Sequence, residues 1–546
     1  MNLTVARLLA ALVLSAPGFN APSPLPGDEP PVFAPRAPSC EDRCGEVGLP
    51  IVNGEDPCSC ATDCSGDGTC CGDVADACPG EADSCVGHCG DRAPAGCSCE
   101  AGCTGARCCF DAVSVCSAPS RVTHGEGGSV ANGAVSDGRG LIIGGAHDGS
   151  IDFGGVTLAS TPGDSAQDGF VARYAGDGAL EWAVTVGGPM QVWVHDVAVD
   201  GQGYVYAVGH YWGTAEFLDA HSTSVGRTDA FLLCLTPEGD YSWLRTWGGV
   251  GYDHAYNVVA GDRRWVFVSG DVSGSVDLGT GPVVGARHIV AAFDETGQTM
   301  WTHAIDTGVP RSPSLALVTE HEDLLVATAF VDTVDLGRGP MVSAGGSDVL
   351  VARYDYWGTH VSPTFAYGGP GDETVDGLDG DDWGNVFVSG TFDQAWSLHE
   401  VTLEPDSDPA GTYVGSFNNS GLLRWIRDIP GAYTPVHGAR FGNRRLATDS
   451  GGNVWFAAYH EKSVDLGGAV FAPVDGDVVL ASYTSAGNLR TFAQASGAGG
   501  EYLGDVTTDR YGRAYLYGYS YGTTELPGAS PVASSFSNLF FFRHPD

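Results

Sequence analysis

Residues 120–546 contain a repeated pattern, and this repeat limits the folds open to the chain more than any other feature. Each unit is about sixty residues long and has short runs rich in Val, Tyr, Phe and Ala, separated by Gly, Asp and Asn, as in strands joined by turns. One unit contains the runs HDVAVD (195–200), GYVYAVG (203–209), DAFLLCL (229–235) and YSWLRTWGG (241–249). Four short strands at this period predict one blade of a β-propeller.

The same strand order returns along the whole region. The second strand recurs as LIIGG, GYVYAVG, WVFVSG, LLVATA, NVFVSG, NVWFAA and AYLYG. The fourth strand contains a tryptophan four residues after a turn glycine in four units, at Trp182, Trp243, Trp301 and Trp425. Several runs are apolar on both faces, as expected when each small sheet packs between two others.

The two ends of the repeat region complement each other. The last unit ends after its third strand, NLFFFRHPD, whereas RVTHGEGG (121–128) resembles a fourth strand with no first three strands before it. The region has 427 residues, or 61 for each of seven units. We therefore predict an all-β fold, a seven-bladed β-propeller of four-stranded blades closed by an N-terminal strand, which leaves no exposed sheet edge. An open stack, or a six-bladed ring with a disordered tail, is the alternative.

These units resemble the bacterial β-propeller repeat family of secreted proteins (SBBP-type). The resemblance depends on a glycine-marked strand, a D-A-F-V-A-R-like strand, a turn glycine and a Trp-containing strand. Because the activities of that family are mostly unassigned, the resemblance implies a fold and no particular chemistry.

Sixteen of the seventeen cysteines lie between positions 40 and 116, in two sets of eight with the same order of spacings. The first set, at 40–78, is Cys40, Cys44, Cys58, Cys60, Cys64, Cys70, Cys71 and Cys78; the second, at 85–116, is Cys85, Cys89, Cys97, Cys99, Cys103, Cys108, Cys109 and Cys116. Two even sets in modules too small for a hydrophobic core predict disulfide-stapled knots. Zinc is the alternative, but zinc sites usually pair C-x2-C spacing with histidine, and only His88 lies in this region. The remaining cysteine, Cys234, is predicted to be buried and unpaired.

The paired spacing resembles two somatomedin B domains, which are small extracellular knots with eight cysteines. In that family, aromatic and acidic residues around the adjacent cysteine pair bind partner proteins. The first module keeps the acid as Asp73 but has no tyrosine there, and the second has Phe110 and Asp111. The resemblance thus implies the scaffold and not the family's partner specificity.

The N-terminal residues suggest export. Residues 1–22 resemble a secretory signal peptide with Arg7 before an apolar run that is too short to span a bilayer, and residues 23–39 form a Pro/Ala-rich linker. Disulfides also require an oxidising compartment, so we predict a secreted or cell-surface protein. The net charge of −41 disfavours nucleic acid and anionic membranes as partners and favours an extracellular protein or glycan.

Searches for catalytic and cofactor motifs give no assignment. The G-x-S-x-G match at 518–522 falls in a repeated strand instead of a strand-turn-helix. The turn at 292–297 with Trp301 resembles one tryptophan-docking repeat of quinoprotein dehydrogenases, but blade packing explains it equally well. Four acids could hold calcium, although they coincide with a turn: Asp376, Asp379, Asp381 and Asp382. We predict no cofactor, no metal and no catalytic residue.

Strand alternation determines which connections share a face. Tight polar turns follow the first and third strands at one end, and long varied loops follow the second and fourth strands at the other, where recognition is expected. The loops and strand starts after the fourth strands contain the candidate ligand residues Trp193, Tyr252, Asp253, His254, Arg311, Asp372, Glu373, Tyr433, His437 and Tyr502. Aromatic and charged residues together suit a glycan or a peptide.

These observations predict a secreted, non-enzymatic binding or adhesion protein. A secreted polysaccharide hydrolase or lyase is the first alternative, with Asp253 and Asp372 as candidate carboxylates, and it requires a carboxylate pair facing one cavity. A structural matrix or surface component is the second alternative.

Overall fold

The structure is a computed structural model, and it describes residues 121–544 apart from short gaps. The gaps are 123, 127, 163–166, 262–263, 285–287, 310–313, 319–322, 337–338, 406–409, 433–445, 474–475, 499, 510–511 and 527–531. The predicted signal peptide, linker and both cysteine knots lie outside the described residues.

The described residues form β-strands and no helix. The first strands are β1 (Arg121–Val122), β2 (His124–Glu126), β3 (Ser129–Ser136), β4 (Gly140–His147), β5 (Ser150–Asp152), β6 (Thr157–Ala159), β7 (Asp168–Ala175), β8 (Leu180–Val186), β9 (Val192–Val199), β10 (Val205–Phe217), β11 (Ala220–Leu235), β12 (Tyr241–Trp247), β13 (His254–Ala260), β14 (Val266–Asp271), β15 (Ser275–Asp277), β16 (Pro282–Val284), β17 (His288–Phe293) and β18 (Thr299–Ile305).

The remaining strands continue the same order to the end of the chain. They are β19 (Ser314–Val318), β20 (Asp323–Phe330), β21 (Thr333–Val334), β22 (Met341–Val342), β23 (Asp348–Tyr354), β24 (His360–Tyr367), β25 (Gly377–Gly380), β26 (Val386–Phe392), β27 (Trp396–Leu398), β28 (Val401–Leu403), β29 (Gly411–Phe417), β30 (Leu423–Asp428), β31 (Leu446–Thr448), β32 (Val454–His460), β33 (Val464–Asp465), β34 (Val470–Phe471), β35 (Asp477–Tyr483), β36 (Leu489–Ala498), β37 (Glu501–Thr508), β38 (Ala514–Glu525) and β39 (Val532–Arg543).

Seven antiparallel four-stranded blades make up the propeller. In chain order they are β3-β4-β7-β8, β9-β10-β11-β12, β13-β14-β17-β18, β19-β20-β23-β24, β25-β26-β29-β30, β31-β32-β35-β36 and β37-β38-β39-β1. The first strands of successive blades contact one another around the ring, and β37 of blade 7 contacts β3 of blade 1. The first strand of each blade is therefore innermost, and the ring is closed.

Closure occurs where the sequence predicts it. Strand β1 pairs with β39 as the fourth strand of blade 7, with Arg121 opposite Phe541 and Val122 opposite Phe540. Blades 7 and 1 also share a hydrophobic core in which the Tyr174 and Phe541 rings lie 5.1 Å apart. The prediction of a seven-bladed ring closed by an N-terminal strand is confirmed, and the open and six-bladed alternatives are wrong.

The repeated tryptophans join neighbouring blades. The indole Nε1 of Trp182 donates a 2.9 Å hydrogen bond to the carbonyl of Pro237, in the turn after the third strand of the next blade. A Cβ on Gly239 of that turn would lie 2.7 Å from the same indole, so only glycine lets the ring pack there. The same contacts recur for the pairs Trp243 with Gly297, Trp301 with Gly358, and Trp425 with Gly487. The Trp and the turn glycine therefore recur together because each blade packs on the next.

The glycine near the end of most second strands recurs for a different reason. In blade 2, β9 contains a bulge at His195, and the carbonyl of Trp193 turns toward β10. A Cβ on Gly209 would lie only 1.8 Å from that carbonyl oxygen. Corresponding bulges occur in β3, β13 and β37. A bulge re-aims the side chains around it, so it decides which residues of the inner strand reach the loop face.

The antiparallel pairing places the two kinds of connection on opposite faces, as predicted. The loops from fourth to first strands and the hairpins between second and third strands form one face, which we call the loop face. The turns after first and third strands form the other, which we call the turn face. In the part of the chain that the structure describes, no helix is long and apolar enough to span a membrane.

Candidate functional site

Six aromatic and histidine side chains meet where blades 2 and 3 adjoin at the loop face. We call this set the blade 2–3 cluster: Trp193, His195, His210, Tyr252, His254 and Tyr256. The rings of His210 and His254 lie 4.4 Å apart, and those of His195 and His210 lie 4.8 Å apart. The ring of Trp193 lies parallel to that of His210 at 6.3 Å. Strand pairing explains this arrangement, because Trp193 and His210 are direct cross-strand partners in β9 and β10.

Hydrogen bonds define the protonation of the two buried histidines. Nδ1 of His195 lies 2.9 Å from the carbonyl oxygen of Ala255, which can only accept, so Nδ1 holds the proton. Nε2 of His195 is then an acceptor, and Nδ1 of His210 donates to it across 2.9 Å. The neutral His210 ring consequently has a lone pair on Nε2, and this atom has no hydrogen-bond partner among the described residues.

Burial keeps both rings uncharged. Desolvation, together with the nearby His254, lowers the pKa of His195 to about 3. Desolvation also lowers the pKa of His210 well below its ordinary value, and His195 and His254 add to this effect. At neutral pH the cluster therefore offers uncharged imidazoles, with the acceptor Nε2 of His210 beside the indole of Trp193.

The outer part of the cluster is open to solvent. Tyr252 is 53% exposed, and the Arg227 guanidinium donates to its hydroxyl and lies 5.0 Å from the ring centroid. His254 is half-buried; its Nδ1 lies 2.6 Å from the Tyr256 hydroxyl, and its Nε2 lies 3.0 Å from Oγ1 of Thr228. These groups combine flat apolar surface with hydrogen-bonding atoms at fixed positions.

Two of the predicted acidic ligand residues are buried instead of exposed. Asp253 is fully buried, and its two oxygens accept hydrogen bonds from the amides of Gly249 (2.8 Å) and Ser273 (2.7 Å). Glu373 is also fully buried and accepts a 2.7 Å hydrogen bond from the amide of Gly369. Desolvation raises the pKa of both carboxyls, that of Glu373 to about 7. Each of these side chains therefore holds the Gly-Gly loop that precedes the first strand of its blade.

The other predicted residues are distributed around the loop face. Asp372 is exposed and accepts a 2.8 Å hydrogen bond from the amide of Ser347. Tyr502 lies in blade 7, stacked between Tyr459 at 5.8 Å and Tyr519 at 5.0 Å. Arg311, Tyr433 and His437 lie outside the described residues. Of the ten predicted residues, the structure brings Trp193, Tyr252 and His254 into one cluster, with Asp253 buried beneath it.

Sequence reasoning missed the two buried histidines and Arg227. His195 stands in the run HDVAVD, and His210 directly follows the second-strand glycine. The sequence therefore predicts strand positions for both. Only the bulge in β9, which brings the His195 ring to the ring of His210, makes them part of a site. A histidine directly after the second-strand glycine was the one available indication.

The structural assignments of other motifs follow from their contacts. Asp381 accepts from the amides of Trp383 and Asn385, as expected of a turn carboxylate, whereas Asp379 lies within β25 and accepts from Thr448 of blade 6. The G-x-S-x-G match lies within the continuous strand β38. Cys234 is free and buried, and burial raises the pKa of its thiol to about 12. Among the described residues, no group of three or more His, Cys, Asp or Glu side chains is placed to hold a metal ion.

Comparisons with known proteins give no family. No family model matches the chain, and no curated protein matches it. Among solved structures, a PL25 ulvan lyase is 9% identical, with a TM-score of 0.37 over 72% of this chain and 93% of that chain. A glucose dehydrogenase is 12% identical, with a TM-score of 0.28 over 64% of this chain and 98% of that chain. A member of the DUF4221 family from Bacteroides vulgatus is 7% identical, with a TM-score of 0.31 over 78% and 98%. At these TM-scores the likenesses carry no functional argument.

Proposed function

We propose that this protein binds a glycan on its loop face, at the blade 2–3 cluster. The observation behind the proposal is that Trp193, His254 and the exposed Tyr252 converge around the neutral His210 ring. Ligand sites typically combine mostly apolar walls with a few fixed polar groups that orient the ligand. Here indole and phenol rings supply the walls, and imidazole, hydroxyl and guanidinium groups supply the polar contacts.

The chemistry of the polar groups favours sugar hydroxyls. Nε2 of His210 can accept a hydrogen bond from a hydroxyl, and the Arg227 guanidinium can donate to one. Because His195 and His210 stay neutral, the site does not require an anionic ligand. His210 lies in β10 and Arg227 in β11, so paired strands hold these groups and little ordering accompanies binding.

No specific observation among the described residues supports carboxylate-based cleavage. The hydrolase or lyase alternative requires two carboxylates that face a cavity. Asp253, one of the two candidates, is fully buried and its two oxygens are taken up by loop amides. The proposed role is therefore binding without catalysis.

The site belongs, in this proposal, to an extracellular multidomain protein. The N-terminal region supplies the support: an apolar leader, a Pro/Ala-rich linker and sixteen clustered cysteines precede the propeller. We propose that the cysteine knots act as a stalk or a second contact, while the propeller presents the glycan site.

The test is a glycan array probed with the purified full chain and with Trp193→Ala/Tyr252→Ala. Loss of the two rings should weaken binding to any recognised glycan at least about tenfold, since aromatic anchors dominate contact energy. Thermal denaturation should show that the double variant remains folded.

Trp383→Ala is the matched control, because Trp383 is 56% exposed on the turn face. It should bind glycans like the unchanged protein. Equal binding by the folded double variant and the unchanged protein would reject the blade 2–3 cluster as the site.

A further inference from the structure

The turn face contains an exposed tryptophan, Trp357, at a position where other blades have small or polar residues. Each turn after a third strand ends in a glycine, and the residue directly before that glycine varies between blades. In five of the described turns this residue is Asp177, Glu238, Thr296, Ser420 or Ala486. In blade 4 this position holds Trp357, which is 61% exposed. The sequence predicts tight, polar turns on this face, and Trp357 of blade 4 departs from that prediction.

Trp357 is part of a ring cluster and not an isolated surface residue. Its ring lies 4.7 Å from that of Tyr356 and 5.4 Å from that of Trp265, which belongs to the first turn of blade 3. The rings of Trp265 and Tyr356 are 4.9 Å apart and nearly perpendicular. Trp265 and Tyr356 are half-buried, so Trp357 is the exposed member of this cluster, and an exposed ring backed by further rings offers flat apolar surface to a partner.

Blade packing does not require the Trp357 indole. The contact with blade 3 uses the carbonyl of Tyr356, which accepts from Trp301, and the bare Gly358. The five small or polar residues at this position in other blades show that the turn forms without an indole. Trp383 is likewise 56% exposed in the first turn of blade 5.

The charges around these rings favour a cationic partner. Asp355 precedes the Tyr356–Trp357 pair, and the exposed Asp382 precedes Trp383, in a chain of net charge −41. The nearby cations are already paired: Arg353 lies 3.4 Å from Asp323, and Arg264 lies 3.4 Å from Asp200. Arg264 also stacks 3.7 Å above the ring of Tyr204, which shows a guanidinium on an aromatic face beside this cluster.

We propose that the turn face of blades 3 to 5 binds a basic polypeptide segment, whose arginine or lysine side chains stack on Trp357 and Trp383. Aromatic faces attract cations, and neighbouring carboxylates strengthen the attraction. Trp and Tyr are also enriched among the few residues that dominate protein interfaces. This site lies on the face opposite to the proposed glycan site and is independent of it.

The experiment measures binding of a short synthetic peptide of alternating arginine and glycine to the full chain by calorimetry. Trp357→Ala should weaken binding at least about tenfold, and Trp383→Ala should weaken it to a smaller extent. Because both indoles are largely exposed, thermal denaturation should find both variants folded. Trp193→Ala, on the loop face, is the matched control and should bind the peptide unchanged.

Three results would overturn the proposal. One is unchanged peptide binding by the folded Trp357→Ala variant. The second is equal binding of a matched peptide of alternating glutamate and glycine. The third is a glycan that binds the full chain and is lost in Trp357→Ala while the basic peptide is unaffected, which would make this face a carbohydrate site.

Discussion

The junction of blades 2 and 3 and the junction of blades 4 and 5 are built on the same plan. In both, a buried aspartate at the start of a third strand, Asp229 or Asp348, lies against the first glycine of a Gly-Gly loop. In both, a buried acid at the end of that loop, Asp253 or Glu373, accepts from the second glycine's amide. These carboxylates belong to the scaffold that shapes the loop face.

The two junctions differ in the side chains placed on that scaffold. The position after the buried acid is His254 in one and Thr374 in the other, and the position after the second-strand glycine of blade 2 is His210. At this position the blade 2–3 junction thus presents an imidazole and the blade 4–5 junction presents a small hydroxyl group. The comparison separates residues that keep the fold from residues that give one junction its chemistry.

The largest expected effect tests whether the scaffold is shared. A Cβ at Gly270 would lie 2.1 Å from the carbonyl oxygen of His254, and one at Gly390 would lie 1.9 Å from that of Thr374. Backbone atoms cannot give way cheaply, so Gly270→Ala and Gly390→Ala should each cost about 4 kcal/mol or more in unfolding free energy. Urea denaturation followed by circular dichroism measures this.

Ala458 provides the matched control, because it occupies in blade 6 the second-strand position that is glycine in five other blades. Ala458→Gly should cost only about 1 kcal/mol, as expected for a strand residue that loses its side chain. A cost at Gly390 far below that at Gly270 would show that the two junctions do not share one geometry.

The second effect concerns the buried imidazoles of His195 and His210 at the blade 2–3 junction. Because the folded-state pKa values of His195 and His210 lie below the ordinary value, their contribution to stability is complete above about pH 6.5. That contribution is lost as pH falls, since the unfolded chain binds the protons that the folded cluster excludes. His195→Gln/His210→Gln should therefore reduce the loss of unfolding free energy between pH 7 and pH 4 by at least about 3 kcal/mol, since His195 alone accounts for about that much.

Urea denaturation at several pH values measures the histidine effect. His221→Gln is the control, because His221 lies exposed on the hairpin of blade 2. If the double variant and the unchanged protein lose stability in parallel on acidification, the histidines are not held neutral by burial.

The sequence predicts the ring better than the site, for a physical reason. Ring closure depends on which strands are present, and the unpaired fourth strand at Arg121 and the missing one after Phe541 are visible in the repeat. The pairing of the Trp with the turn glycine also repeats in register. The His195–His210 contact depends on a one-residue bulge within β9, and no residue pattern in that strand marks a bulge.

Exposure was also harder to predict than strand position. Asp253 stands in a loop and has the composition of a ligand residue, yet the amides of Gly249 and Ser273 draw its carboxylate inward. Trp357 stands in a turn that is polar in other blades, and nothing local shows whether an indole there packs inward or stays in solvent. Both outcomes depend on contacts between blades.

The third effect concerns the carboxyl of the blade 4–5 junction and has the opposite sign with pH. Desolvation raises the folded-state pKa of Glu373 to about 7, and Asp348, Asp393 and Asp372 add to this. Its contribution is complete below the unfolded pKa near 4.5 and is lost as pH rises through 7. Glu373→Gln should match the unchanged protein at pH 4 and be about 2 kcal/mol more stable at pH 8.

Urea denaturation across this pH range checks the Glu373 effect, with the exposed Glu238→Gln as the control. A constant difference between Glu373→Gln and the unchanged protein at all pH values would mean that Glu373 titrates as an ordinary carboxyl in the folded chain.

The smallest effect asks whether the loop face has one binding site or a ring of equivalent ones. Tyr252 and Asp372 occupy matching positions before the two buried acids, and both are exposed. Tyr252→Phe removes the hydroxyl that accepts from Arg227, which should change unfolding free energy by less than about 0.5 kcal/mol. Glycan affinity, measured by calorimetry, should fall only about two- to fivefold, because the ring stays in place. Asp372→Asn should leave that affinity unchanged if the blade 2–3 cluster alone binds, whereas an equal loss in both variants would spread the site over the face.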